Sequence, residues 1–138
     1  MNSKTGSDAG TILVVEDHQE TRMMVNRELR MAGYYVFDAS GAAEALTLAE
    51  AHPGHVDLLV SEVLLWGMTG VELYGRLRQR HQSLRVLFMS GYTEEVLQQN
   101  GVSPSTAPFL RKPFASPKLV ERVREVLQAP APAVLARG

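Results

Sequence analysis

Thr11-Ile12-Leu13-Val14-Val15-Glu16-Asp17 decides the fold: five β-branched or aliphatic residues run without a break and stop at two carboxylates. An apolar run of this length with no polar alternation describes a strand buried on both faces, as in a parallel sheet. Before it, residues 1–10 (MNSKTGSDAG) are polar and read as a flexible leader. After it, Asp17 is expected to cap a helix whose Thr21, Val25, Leu29 and Ala32 share a face, with Gly33 just past its end.

The alternation repeats. Tyr34 to Asp38 reads as a second strand, and Ser40 as the cap of a helix with Ala42, Ala45, Leu46 and Ala49 on one side, broken by Pro53-Gly54. Asp57 to Ser61 is a third strand ending at Glu62, followed by a loop and a helix from about Val71 to His81. Arg85 to Met89 is a fourth strand ending at Ser90-Gly91, and Thr93 caps a short helix that stops at Asn100-Gly101. Pro108 to Leu110 is a brief fifth strand. Ser116-Pro117 then starts a last helix whose buried side is Val120, Val123 and Leu127. Strand and helix alternate five times, which predicts an α/β fold: a five-stranded parallel sheet, doubly wound, in three α/β/α layers. Residues 11–128 form this unit, and the Ala/Pro-rich 129–138 read as a tail or linker.

Composition narrows the function. The chain has 138 residues, enough for one domain with its own core. It has no cysteine, which excludes thiol catalysis and cysteine-ligated metals. A net charge of −1 argues against a nucleic-acid surface, and no apolar run is long enough to cross a membrane. A cytoplasmic protein is the default expectation. His52 and His55 flank Pro53-Gly54, but no further ligand completes a zinc set. Met23, Met24 and Met31 read as helix packing, and Arg76, Arg78 and Arg80 as a solvated helix face.

In open α/β sheets, ligands bind beyond the carboxyl ends of the strands. The residues placed there are Glu16, Asp17, Glu62, Ser90 and Lys112. Clustered carboxylates repel one another unless a cation joins them, and a hard divalent ion takes oxygen ligands together with phosphate. A lysine and a hydroxyl can hold the remaining phosphoryl oxygens. The set suits a metal and a phosphoryl group together. A metal-dependent phosphatase with a nucleophilic Asp and a second Asp two residues on does not match Glu16-Asp17-His18-Gln19. A nucleotide or flavin binder lacks its Gly-rich loop after the first strand.

The stretches ILVVED, DLLVSEVLLWGMTG, VLFMSGYTEE and FLRKPF resemble those of response-regulator receiver domains, the CheY-like family. SGYTEE and FLRKPF are similar to receivers attached to hybrid sensor histidine kinases. The resemblance implies a flavodoxin-like order of strands and a signalling switch in a two-component phosphorelay, not an enzyme. It implies Mg²⁺ held by Glu16, Asp17, the backbone carbonyl of Leu64 and the residue at 62. It also implies phosphoryl sensing by Ser90 and Lys112, a cis bond before Pro113, and an aromatic switch at Phe109 that moves with Ser90. The implied partner is a histidine kinase or a phosphotransfer protein. A homodimer through the fourth helix, fifth strand and fifth helix is a further option.

Two departures stand out. Glu62 occupies the position where receivers carry the phosphoacceptor aspartate, and one added methylene moves the carboxylate by roughly 1.5 Å. A displacement of ~1 Å costs on the order of 10²-fold in rate when positioning carries the chemistry. Phosphorylation is therefore expected to be impaired, or mimicked if Glu62 reaches Lys112 or Ser90. The alternative is a non-switching pseudo-receiver used only for docking or dimerisation. Trp66, where receivers usually have proline, is expected to pack over the rim of the cleft or to contact a partner.

Overall fold

A computed structural model describes residues 10–130. Apart from Gly10, Ala129 and Pro130, the leader and tail expected from the sequence lie outside the described residues. The strands are β1 Thr11–Val15, β2 Tyr35–Ala39, β3 Leu58–Glu62, β4 Arg85–Ser90 and β5 Phe109–Arg111. The helices are α1 Gln19–Met31, α2 Ala42–Ala51, α3 Gly70–Arg78, α4 Glu94–Gln99 and α5 Ser116–Gln128. All strands are parallel, in the order β2-β1-β3-β4-β5.

The unbroken apolar run of β1 has a direct structural reason. Alternate strand residues point to opposite faces, and here both faces are covered. Ile12 and Val14 join Leu58, Val60, Leu87 and Met89 beneath Val25 and Leu29 of α1 and Leu119, Val123 and Val126 of α5. Leu13 and Val15 join Leu59, Val86 and Phe88 against α2, α3 and α4, through Ala45, Leu73, Tyr74 and Leu97 among others. The result is the doubly wound three-layer sheet that the sequence predicts.

Local details depart from expectation. The N-cap of α1 is His18, not Asp17; its ring accepts the Thr21 N–H. Gly41, not Ser40, precedes α2, and Glu44 reaches back to accept from the Ser40 N–H and hydroxyl. Ala115, not Ser116, is the N-cap of α5, and its buried stripe is Leu119, Val123 and Val126 rather than Val120, Val123 and Leu127. β2, β3 and β5 each begin one residue later than expected, and α3 ends at Arg78. Arg78 is half-buried with its guanidinium 5.6 Å over the Tyr74 ring, so it is not a solvated residue. Met23 and Met31 are 59% and 75% exposed, which overturns their reading as packing residues. Val25 and Leu29 already fill the face that α1 turns to the sheet.

Candidate functional site

β1 connects outward to β2, whereas the chain returns to β3 on the other side of β1. A crevice opens where the strand order diverges, at the carboxyl ends of β1 and β3. Glu16 directly follows β1 and is 1% exposed; Glu62 ends β3 and is 6% exposed. Lys112, which follows β5, reaches between them. Its Nζ donates to Glu16 Oε1 at 2.6 Å and to Glu62 Oε1 at 2.8 Å.

The other carboxylate oxygens are also occupied. Glu16 Oε2 accepts the His18 N–H at 3.0 Å, and Glu62 Oε2 accepts the Val63 N–H at 2.9 Å. Every oxygen of both buried carboxylates therefore has a donor, the condition under which a buried ion pair survives desolvation. Burial still pushes the Glu16 carboxyl above its ordinary value, and the Lys112 ammonium and His18 amide only partly offset this. For Lys112, burial favours the neutral form, but the bonds to Glu16 and Glu62 outweigh it and raise the ammonium above its ordinary value.

The backbone fixes these side chains. Lys112 N–H donates to the Ser90 carbonyl at 3.0 Å, tying the end of β5 to β4. Glu16 N–H donates to the Ala39 carbonyl at 3.1 Å, and Arg22 Nη1 donates to the Glu16 carbonyl at 2.8 Å. Arg22 escaped the sequence reading, because nothing in the spacing from Glu16 marks its side chain as a backbone clamp. At Gly70, a Cβ would stand 2.6 Å from the Glu62 carbonyl oxygen, so only glycine lets α3 start this close to β3. The adjacent Thr69 and Glu72 form a capping box, a signature that T-x-x-E at 69–72 carries in the sequence.

The remaining candidates stand apart from this triad. Asp17 is exposed. Ser90 is fully buried, but its hydroxyl accepts the Tyr92 N–H at 3.1 Å and, among the described residues, meets neither Lys112 nor Glu62. Leu64 is half-buried in an isolated bridge with Thr69. Phe109 is half-buried against the core beneath α3 and α4, its ring 5.3 Å from the Arg111 guanidinium. The Lys112–Pro113 peptide bond is cis. Trp66 is 95% exposed, so it does not pack over the cleft; Gly67, at φ +89°, turns the loop beside it.

Among the described residues, no three His, Asp or Glu side chains gather closely enough to hold a metal ion. Glu16 and Glu62 have the right oxygen chemistry for Mg²⁺, but Lys112 already bridges them and Asp17 lies outside. In this arrangement the residues do not fit the divalent cation that the family resemblance implies. The cationic role is filled by the lysine.

A family model described as the response regulator receiver domain matches residues 12–124. Sensor kinase CckA of Brucella abortus is 37% identical over 122 residues, 88% of this chain but only 13% of that kinase. Response regulator receiver protein CpdR of the same organism is 29% identical over 118 residues, 86% of this chain and 97% of CpdR. Among solved structures, the receiver domain of the hybrid histidine kinase CckA superposes with a TM-score of 0.70 at 38% identity, covering 86% of this chain and 100% of that one. No described helix is long and apolar enough to cross a membrane.

Proposed function

The chain belongs to the response regulator receiver domain family, and from that membership we propose that it is a two-component signalling receiver that works without phosphorylation at position 62. One observation carries this reading. The longer Glu62 side chain is held by Lys112 at 2.8 Å and by the Val63 N–H at 2.9 Å, which fixes its carboxylate about one carbon–carbon bond beyond where an aspartate's would present itself to a phosphoryl donor. The lysine contact that a phosphoryl group would recruit is already made by a fixed side chain. The partner would be a histidine kinase or a phosphotransfer protein, in the cytoplasm. Mg²⁺ would have only the Asp17 carboxylate and the Leu64 carbonyl without displacing Lys112, so its binding is weak.

The test is incubation with acetyl phosphate and Mg²⁺, read by intact mass. The native chain should stay unmodified, while Glu62→Asp should gain one phosphoryl group. A native chain that gains that mass on Glu62 sinks the proposal. A Glu62→Asp variant that stays unmodified locates the block beyond residue 62.

A second reading is a non-switching module that only docks or dimerises. It is favoured by Ser90, whose hydroxyl is tied to the Tyr92 amide instead of turning toward Lys112. In that case Ser90 and Phe109 have no switching role. Identical amide spectra for the native chain and Glu62→Gln in the β4–α4 loop and around Phe109 would support this reading over the first.

A further inference from the structure

Met23, Asn26, Arg27, Arg30 and Met31 stand at i, i+3, i+4, i+7 and i+8 on α1, which makes one continuous stripe. This is not the stripe that α1 buries, which holds Val25 and Leu29. Methionine is unbranched and polarisable, and its exposure in a repeated pattern marks adaptable binding surfaces. Between this stripe and Asp38 of β2 runs a groove of about 510 Å³. β2 is the edge strand of the sheet, so no further strand stands beyond it among the described residues.

The groove is positively charged at its middle. Its one carboxylate is already engaged: Asp38 Oδ2 accepts from Asn26 Nδ2 at 2.7 Å, and Oδ1 lies 3.8 Å from Arg22 Nε. Arg30 Nη2 donates to the Val36 carbonyl at 3.1 Å, which leaves its other N–H groups uncommitted. Arg27, which is 66% exposed, pairs with the half-buried Glu28 at 3.4 Å through Nε alone, which leaves its two Nη groups uncommitted. Two guanidinium groups thus lie between two apolar ends, and eight residues of helix separate those ends by about 12 Å.

We propose that this groove docks an amphipathic helical segment of a partner protein, with carboxylates lying between two apolar anchors. The anchors seat against Met23 and Met31, and the carboxylates face Arg27 and Arg30, whose planar forks suit carboxylate pairing. Other occupants fit less well. Patches that hold an anionic membrane carry about 4–8 basic residues, whereas this groove offers Arg27 and Arg30 alone. Nucleic acid needs several phosphate contacts and a basic excess, whereas the chain carries a net charge of −1. The groove opens on the flank of α1 away from the hollow that Thr21 and Met24 form with Lys112 and Pro113. The inference therefore stands whether or not Glu62 is phosphorylated.

The probe is a designed helical peptide with two leucines eight residues apart and glutamates between them on the same face, beside a twin with lysines in place of the glutamates. Binding is followed by anisotropy and by ¹³C-methyl signals of the methionines. The acidic peptide should move the Met23 and Met31 methyls. Arg27→Glu should weaken it at least about tenfold and bind the lysine twin instead, since like charges then face each other across the interface. Met31→Ala should weaken it several-fold. Both positions are exposed, and Arg30 is left intact because it holds Val36. Methyls that stay still up to millimolar acidic peptide overturn the proposal, as does equal affinity in Arg27→Glu. It is equally overturned if the same methyls move with phosphatidylserine vesicles and not with peptide, or with protein concentration alone.

Discussion

Lys112 Nζ lies 2.8 Å from Glu62 Oε1 across 50 residues of sequence, and the same ammonium holds Glu16, so one lysine joins the ends of β1, β3 and β5. Removing a single partner from such a buried set leaves uncompensated charge, which costs more than the pair ever contributed. Lys112→Met should lower the unfolding free energy in urea by about 3–5 kcal/mol at neutral pH. The loss should shrink in acid, because protonation removes the charge that lysine no longer balances. A variant within about 0.5 kcal/mol of the native chain at neutral pH means that water, not Lys112, carries these carboxylates.

Divalent metal provides a second check. Because Lys112 occupies the two buried carboxylates, millimolar Mg²⁺ in place of EDTA should move the native urea midpoint little. In Lys112→Met the carboxylates are freed, and Mg²⁺ should restore stability by RT ln(1 + [Mg²⁺]/Kd), about 2.7 kcal/mol at a hundredfold excess over Kd. Strong stabilisation of the native chain would mean that the ion displaces the lysine.

Two glycines of α3 should respond in opposite directions. Gly70→Ala forces a Cβ to 2.6 Å from the Glu62 carbonyl, a backbone atom that cannot swing away. A loss of about 1–3 kcal/mol is expected, with shifted amide signals at Val63. At Gly75 an added Cβ meets nothing within 4 Å, so Gly75→Ala should gain about 0.5–1 kcal/mol from helix propensity. Equal effects at the two positions would contradict the close approach of α3 to β3.

His81 sets a pH dependence away from the site. Its Nδ1 accepts the Val56 N–H at 3.3 Å, and its buried Nε2 has no hydrogen-bond partner. Burial lowers its pKa below 6.5, with the charges of Arg80, His52 and His55 acting in the same direction and the Ala49 backbone opposing. A depressed value means that the unfolded chain binds the proton first. The stability contribution is thus complete above pH 6.5 and is lost as pH falls through the folded value. The urea midpoint should drop over that window, and His81→Asn, which keeps an acceptor for Val56, should flatten the drop. An unchanged slope in the variant would assign it to other groups.

Much of the site was legible because apolar strands end where charge begins. Glu16, Glu62, Ser90 and Lys112 each stand at or just past a strand's last residue, where the sequence puts them. What it left open was direction. Ser90 looked like a phosphoryl-sensing group alongside Lys112, but a hydroxyl beside a turn bonds the nearest free amide, here Tyr92. Trp66 looked like a rim residue, yet its exposure depends on how the loop turns at Gly67. In α1 two stripes carry apolar residues, and periodicity alone cannot tell which one meets the sheet.

By itself, the sequence determined five strands, the burial of β1 on both faces, five intervening helices and the residues at the strand ends. Periodicity and turn chemistry are local, and they act within a few residues. Only the tertiary structure decided that Lys112 spans Glu16 and Glu62, that Asp17 stays outside and that Met23 and Met31 face solvent. Those outcomes depend on contacts between segments as many as 96 residues apart. Their energy comes from mutual desolvation and pairing of charges, which no single stretch of chain contains.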